Sequence, residues 1–235
     1  MKIGVILARG GSKRIPRKNI KEFCGRPIIC WTISSLIESR IFDKVIVSTD
    51  DEEIAEISKI SGASVPFMRS KELSDDFVGT SEVMSNIATW MSKKKWDVEA
   101  LCCVYATSVF IKKEQLKAGL DAIVSSEWSF AFSAARYDKP VFRSFIQCHD
   151  GGVEMLFPEN YDVRSQDLSS VMYDAAQFYW GSFEAWLEGK KIFANYSLPI
   201  IFPNKSIQDI DTHDDWLEAE RIFREQKKIE DFNKS

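Results

Sequence analysis

The chain has 235 residues, 45% hydrophobic and 28% charged, with 31 basic side chains against 35 acidic ones for a net charge of −4. That length supports one well-buried core plus an excursion, and the acid excess supplies no general basic field to hold nucleic acid by its phosphates. No run approaches the about 18 apolar residues that a membrane-spanning helix requires, and the opening MKIGVILARGGSKR turns charged too early, with no cleavage pattern, to be a signal peptide, so a cytoplasmic chain is expected.

Lys2 to Leu7 is an apolar, β-branched run ended by a glycine pair, the pattern of a buried parallel strand feeding a loop. A helix is expected over Arg26 to Glu38 with Pro27 in its first turn, then a strand at Val45 to Ser48. Asp50 is placed to cap a helix from Asp51 to Ser61 that stops at Gly62. The alternation continues with a helix at Ser81 to Lys94, a strand at Ala100 to Tyr105 and a helix at Lys112 to Ser125. Strands separated by helices of this length imply an α/β fold with a Rossmann-like, mostly parallel sheet covered on both faces. Ligands of such sheets sit beyond the carboxyl ends of the strands.

From about Ser129 to Gln177 the chain turns aromatic and glycine-punctuated (FAFSAARY, VFRSF, GGVEMLF), which reads as a β-rich insertion between 1–128 and 178–235. A short helix near Phe183 to Glu188, a strand at Tyr196 to Phe202, an acidic stretch Gln208 to Asp215 and an amphipathic helix to about Lys228 complete the chain.

The five cysteines, Cys24, Cys30, Cys102, Cys103 and Cys148, form an odd set without CxxC spacing, which argues against a zinc site or a disulfide framework. Only His149 and His213 are available as histidines, so the chemistry is expected to run on carboxylates, metal and basic side chains.

The loop LARGGSKRIPRKN sets Arg9, Lys13, Arg14, Arg17 and Lys18 around Gly10 and Gly11 directly after the first strand. Glycines let backbone N–H groups approach a phosphate while the cations neutralise it; on charge alone the loop reads equally as a solvated turn. Asp209 and Asp211, in SIQDIDTHDDW, point the same way if extended. Paired carboxylates suit Mg²⁺, which shares phosphate oxygens with protein, while the neighbouring acids, Asp214 and Asp215, also suit the start of the terminal helix.

Together these strings resemble the sugar-activating cytidylyltransferases, the family that includes CMP-N-acetylneuraminate synthetases. The resemblance implies a nucleotide-diphospho-sugar transferase type of fold and makes Arg9, Ser12, Lys13, Lys18 and Asn19 contacts of CTP, beside the backbone of Ala8, Gly10 and Gly11. It assigns Mg²⁺ to Asp209 and Asp211, and counts both among the catalytic residues with Arg9 and Lys13. FMRSKELSDDFVGTSEV resembles the family's R-P-x-x-L-A/S-x-D segment and adds Arg69, Asp76 and Thr80.

YATSVF stands where sialate synthetases typically read QPTSPLR; Thr107 and Ser108 remain but Tyr105 replaces the glutamine, which implies an altered sugar. VRSQDLSSVMYDAAQFYWGS resembles RSQDLPxxxxDAGQFYWG, the pattern of members acting on pseudaminic acid, and nominates Arg164, Gln166, Asp167, Asp174 and Gln177 for the sugar. Ala176 takes the place of the usual glycine, and Phe178, Tyr179 and Trp180 also fit an aromatic surface that packs a partner. The resemblance implies CTP and a nonulosonic acid as substrates, pyrophosphate as product, and a homodimer formed through residues 129–177; Arg164 or Arg143 is expected on the sugar carboxylate, which a guanidinium matches bidentately. A sialate or legionaminate synthetase, and a glycosyltransferase-like module that binds a finished nucleotide sugar, stay open as alternatives.

Overall fold

The computed structural model describes residues 1–75, 77–125, 127–203 and 208–232. Its first strand, β1 (Lys2–Leu7), lies between the strand that follows the first helix and the one that follows the third. Before that first helix the chain makes a small hairpin of β2 (Glu22–Phe23) and β3 (Arg26–Pro27), turning through Cys24 and Gly25, both at positive φ. Two successive positive-φ residues match the twist of a tight hairpin, so α1 (Ile28–Ser39) starts after Pro27 rather than at Arg26 as expected.

After β4 (Lys44–Ser48), Asp51 and not Asp50 caps α2 (Glu52–Ile60), its carboxylate accepting the Ile54 N–H at 3.0 Å. Gly62, at φ 94°, ends that helix with its N–H on the Lys59 carbonyl. Next come α3 (Thr80–Lys93), β5 (Ala100–Tyr105), α4 (Lys113–Val124), β6 (Phe130–Arg136) and the exposed hairpin β7 (Phe145–Gln147) and β8 (Val153–Met155). The chain returns through β9 (Met172–Ser182), α5 (Phe183–Leu187), β10 (Ser197–Ile201) and α6 (His213–Phe232).

One six-stranded sheet, ordered β10-β6-β9-β5-β1-β4, organises these elements. All its strands run the same way except β9, which is antiparallel to β5 and β6. The period of two along each strand sorts side chains to opposite faces. Ala100, Cys102 and Val104 pack beneath α1, α2 and α4, while Leu101 and Cys103 pack beneath α3 and α5. The α/β class with helices on both faces is therefore as expected.

The expected insertion, 129–177, opens and closes inside this sheet, because β6 and the first half of β9 are two of its strands. What stands apart from the sheet is 137–171. Phe178, Tyr179 and Trp180 are core residues of this chain, 0, 3 and 0% exposed, and not a partner surface. Gly181 lets Phe130 and Trp186 close over the sheet, since a Cβ there would meet their rings at 2.7 and 2.5 Å.

A third apolar cluster joins Ile210, Trp216, Ala219 and Phe223 to Ile15, Phe23, Ile28, Val109 and Phe110. It docks α6 against the loop that follows β1. Thr212 and Asp215 cap α6 reciprocally: Asp215 Oδ2 accepts the Thr212 N–H at 2.7 Å and Thr212 Oγ1 accepts the Asp215 N–H at 3.2 Å. All five cysteines are free thiols, and burial pushes those of Cys102 and Cys103 upward. No helix among the described residues is long and apolar enough to cross a membrane.

Candidate active site

A cavity of about 430 Å³ opens beyond the carboxyl ends of β1 and β5, with Leu7 and Tyr105 in its wall. That size suits a small-molecule site. Its charged side is the loop after β1. Asn19, 7% exposed, donates from Nδ2 to the Arg9 carbonyl at 2.9 Å and so draws the end of the loop back to its start. Gly10 sits where a Cβ would come within 2.6 Å of Asp51 Oδ2, so only glycine allows this approach, and its N–H donates to Asp50 Oδ1 at 3.0 Å. Gly11 faces open space.

The distant aspartates meet this loop. Lys18 Nζ donates to the Ile210 carbonyl at 2.6 Å and lies 3.4 Å from Asp211 Oδ1, while Arg14 Nη1 donates to Asp211 Oδ2 at 2.7 Å. Arg9, Ser12, Lys13, Arg14, Lys18, Asn19, Asp209 and Asp211 all line the cavity. Asp209 is open to solvent on one side and packed on the other. That burial, then the negative charge of Asp211, raises its carboxyl above the usual range, with Lys18 and Arg14 pulling the other way.

Two oxygen-only carboxylates under mutual strain suit a hard divalent cation. Among the described residues no group of three or more His, Cys, Asp or Glu gathers to hold a metal, so such an ion would take its remaining ligands from phosphate oxygens or water.

Across from the charged side stand Thr80, at the start of α3, and Tyr105, at the end of β5, with their hydroxyls 2.7 Å apart. Thr107, Ala106 and Ala176 continue that wall. Arg69 also lines the cavity, 8% exposed, with Nε donating to Ser74 Oγ at 3.1 Å and Nη2 lying 3.9 Å from Asp50. Burial lowers its guanidinium, and Asp50 offsets part of the effect.

Several expected site residues lie elsewhere. Ser108 is buried behind the wall, donating to the Gln177 carbonyl at 3.0 Å, and Gln177, 3% exposed, donates to the Ala175 carbonyl at 2.9 Å. Neither lines the cavity. Asp174 turns back on its own strand, accepting from Ala176 N–H and the Tyr179 hydroxyl. Arg164, Gln166 and Asp167 form an exposed turn in 137–171, away from the cavity. Arg143 donates to the Val163 carbonyl inside the same segment. Asp76 lies outside the described residues.

Arg17 differs from its neighbours in the loop. It adopts φ 54° and clamps Asp51 and Glu53 of the α2 N-terminus, so its charge anchors the loop instead of facing the cavity. Asp51, held by Arg17 and the Ile54 N–H, has its carboxyl lowered. The cavity also takes in Arg14, Ser74 and Asp75 and the apolar Ile15, Leu73, Val78 and Val83, none of them an expected site residue, while Asp50 supports it from outside through the Gly10 N–H and Arg69. Arg14 was visible as one of five cations, and only the fold separates it from Arg17.

A family profile described as "Cytidylyltransferase" matches residues 3–143. A pseudaminic acid cytidylyltransferase of Campylobacter jejuni is 38% identical over 220 residues, covering 94% of this chain and 95% of that protein. The chain belongs to the cytidylyltransferase family. An N-acylneuraminate cytidylyltransferase of Oncorhynchus mykiss is 34% identical over 94% of this chain and 50% of that protein. The structure of a CMP:2-keto-3-deoxy-manno-octonic acid synthetase in complex with CTP superposes with a TM-score of 0.69, covering 96% of this chain and 99% of that one at 12% identity, which establishes the shared fold. Within the family, the charged loop and the acidic pair of this chain face one cavity at the strand ends.

Proposed function

We propose that this cytidylyltransferase joins CTP to pseudaminic acid, giving CMP-pseudaminic acid and pyrophosphate. The observation that supports the reading is the contact of Lys18 and Arg14 with Ile210 and Asp211 along one side of the cavity, which sets cations suited to phosphate beside carboxylates suited to a divalent metal. The 38% identity to the Campylobacter enzyme favours pseudaminic acid as the sugar.

In this reading the anomeric hydroxyl of the sugar attacks the α-phosphorus in line and pyrophosphate departs. Such a transfer needs positioning and charge neutralisation more than covalent help from the protein. Arg9, Lys13 and Lys18 hold the β- and γ-phosphates, and Ser12 and the N–H groups of the glycine turn hold oxygens nearby. Asp209 and Asp211 would hold Mg²⁺, which would supply neutralisation of phosphate charge. Thr80, Tyr105 and Thr107 shape the neutral side. Gln177 and Ser108 support that side from behind and do not touch the substrate.

The segment 137–171 exposes Phe145, Val153 and Tyr161 at 63, 65 and 70%. Apolar area of this kind suits burial against a second copy, and a homodimer so formed would bring Arg164, Gln166 and Asp167 to a partner's sugar. The test of the function is a panel of nonulosonic acids offered with CTP and Mg²⁺, with pyrophosphate release measured and products weighed by mass spectrometry. Turnover with pseudaminic acid well above the rest is the expected result. Preference for N-acetylneuraminic acid would favour the second reading, which the 34% identity to the trout enzyme supports, and no product with any sugar would refute both.

A further inference from the structure

Three consecutive residues after β4 tie down three separate parts of the site. The Thr49 carbonyl accepts the Arg69 N–H at 2.8 Å. Asp50 Oδ1 accepts the Gly10 N–H at 3.0 Å, where the charged loop begins. Asp51 takes Arg17, where that loop ends: Nη1 donates to Oδ2 and Nη2 to Oδ1 at 3.0 Å, and Nη2 also reaches Glu53 Oε2 at 2.5 Å. Ser12, Lys13 and Arg14 lie between the Gly10 and Arg17 ties and line the cavity, whereas Arg17 and Asp51 do not.

The tie at Arg17 is firm at one end and costly at the other. Asp51 is held by its own N–H on Thr49 Oγ1 at 3.2 Å and by its cap on the Ile54 N–H, and Thr49 is 0% exposed. Arg17 pays with φ 54° and ψ 31°, a backbone state unfavourable for a residue with a side chain. A forked contact of guanidinium with carboxylate fixes direction as well as distance. The load on it is electrostatic: Arg9, Lys13, Arg14 and Lys18 crowd one cavity and repel one another. A loop fixed before an anion arrives does not charge its ordering to binding.

We propose that Arg17 and Asp51 are positioning residues for CTP, whose ion pair sets the spread of the loop carrying Ser12, Lys13 and Arg14 without touching the nucleotide. The inference rests on the CTP reading of the cavity.

Calorimetric titration with CTP and Mg²⁺, with no sugar present, tests it, beside steady-state kinetics and a melt. Arg17→Gly adopts the same backbone angles without strain, so it removes the tie alone. Its Kd for CTP should rise about tenfold, while the sugar KM and the kcat at saturating CTP stay within about twofold and the melting temperature stays close to that of the unsubstituted protein. Asp51→Asn keeps the helix cap, since asparagine caps as well as aspartate, and leaves Glu53 on Arg17, so about a threefold rise is expected. Arg17→Lys, which keeps the charge and loses the fork, should fall between Arg17→Gly and the unsubstituted protein. The double variant Arg17→Gly, Asp51→Asn should lie within about twofold of Arg17→Gly, because the two residues act through one contact.

Effects that multiply in the double variant, or an affinity regained there, would overturn the clamp. So would single variants that bind CTP within about twofold of the unsubstituted protein, or a loss shared equally by CTP and sugar together with a lowered melting temperature. Should Arg17→Gly fail to fold, Asp51→Asn decides alone. An unsubstituted protein that binds no CTP overturns the CTP reading and this inference together, whereas CTP binding with indifferent variants overturns the clamp alone.

Discussion

The wall built from Arg14, Lys18 and Asp211 is held by charges that touch across 197 residues of chain, whereas the wall built from Thr80, Tyr105 and Ala176 is held by hydroxyls, a bulge and one unfavourable backbone angle. In the charged wall the side chains that face the cavity are also the ones that join its two halves. If the cavity takes an anion, as proposed, that anion would compete with Asp211 for Arg14 and Lys18. In the neutral wall Ser108, Gln177, Tyr179 and Asp174 do not line the cavity, and the lining residues in front of them are neutral.

Breaking the charged wall has the largest expected effect. Asp209→Asn or Lys13→Ala should lower turnover by about 100-fold or more, the scale for losing one preorganised electrostatic contact at a reacting centre. A circular-dichroism melt should change little, since both residues lie at the cavity edge, outside the apolar core. Retained turnover would dissolve the distinction between the walls.

A smaller effect concerns pH. The folded-state carboxyl of Asp209 is raised, so its protonated form favours folding below the unfolded value of about 3.9, and that contribution is lost as pH rises through the raised folded value. At neutral pH the ionised pair repels itself, and added Mg²⁺ should raise the melting temperature. The increment should shrink as acid protonates Asp209; a magnesium shift independent of pH would count against the pair as ligands. Asp51 runs opposite: its lowered carboxyl contributes stability above its unfolded value, lost as pH falls through the folded one.

The smallest effect sharpens the neutral wall. Ala176 holds φ 50°, a region that costs an L-residue about 1 kcal/mol or somewhat more. Ala176→Gly should therefore stabilise the protein by up to about 1 kcal/mol in a denaturant titration, and a loss of stability would mean that the Ala176 methyl packs usefully in the cavity.

The charged wall was legible in the sequence because its loop is contiguous and its chemistry is written in residue type. Asp209 and Asp211 were legible as a pair but not as neighbours of Arg14, a relation that exists only after Ile210, Trp216 and Phe223 dock α6 on Ile15 and Phe23. The neutral wall was half legible. Tyr105 and Ala176 stood out as departures from a family pattern, yet nothing local says that Ala176 has positive φ. That angle follows from a register shift, in which β9 carries extra residues opposite Phe132 to Ala134 and Ser133 Oγ accepts the N–H groups of Gln177 and Phe178 at 2.9 and 3.1 Å.

That β6 and β9 belong to the main sheet is hidden in the sequence for a related reason. The aromatic runs of β6 and β9 look like surface strands, but their burial depends on α3, α4 and α5 arriving from elsewhere in the chain. Asp50 and Asp51 show the finest grain of the problem: either suits a helix cap, and the choice falls to Asp51 because Arg17 reaches it from a left-handed turn.

The reversed direction of β9 has an architectural consequence. Since β6 runs with β1 and β5, it finishes at the end of the sheet on which the cavity opens, and a strand of opposite sense must begin at that same end. Everything threaded between Arg136 and Met172 is thus tethered at both ends to that end of the sheet, like a handle fixed to one side of a vessel. Lengthening or reshaping that handle alters what surrounds the opening while the six strands keep their pairing.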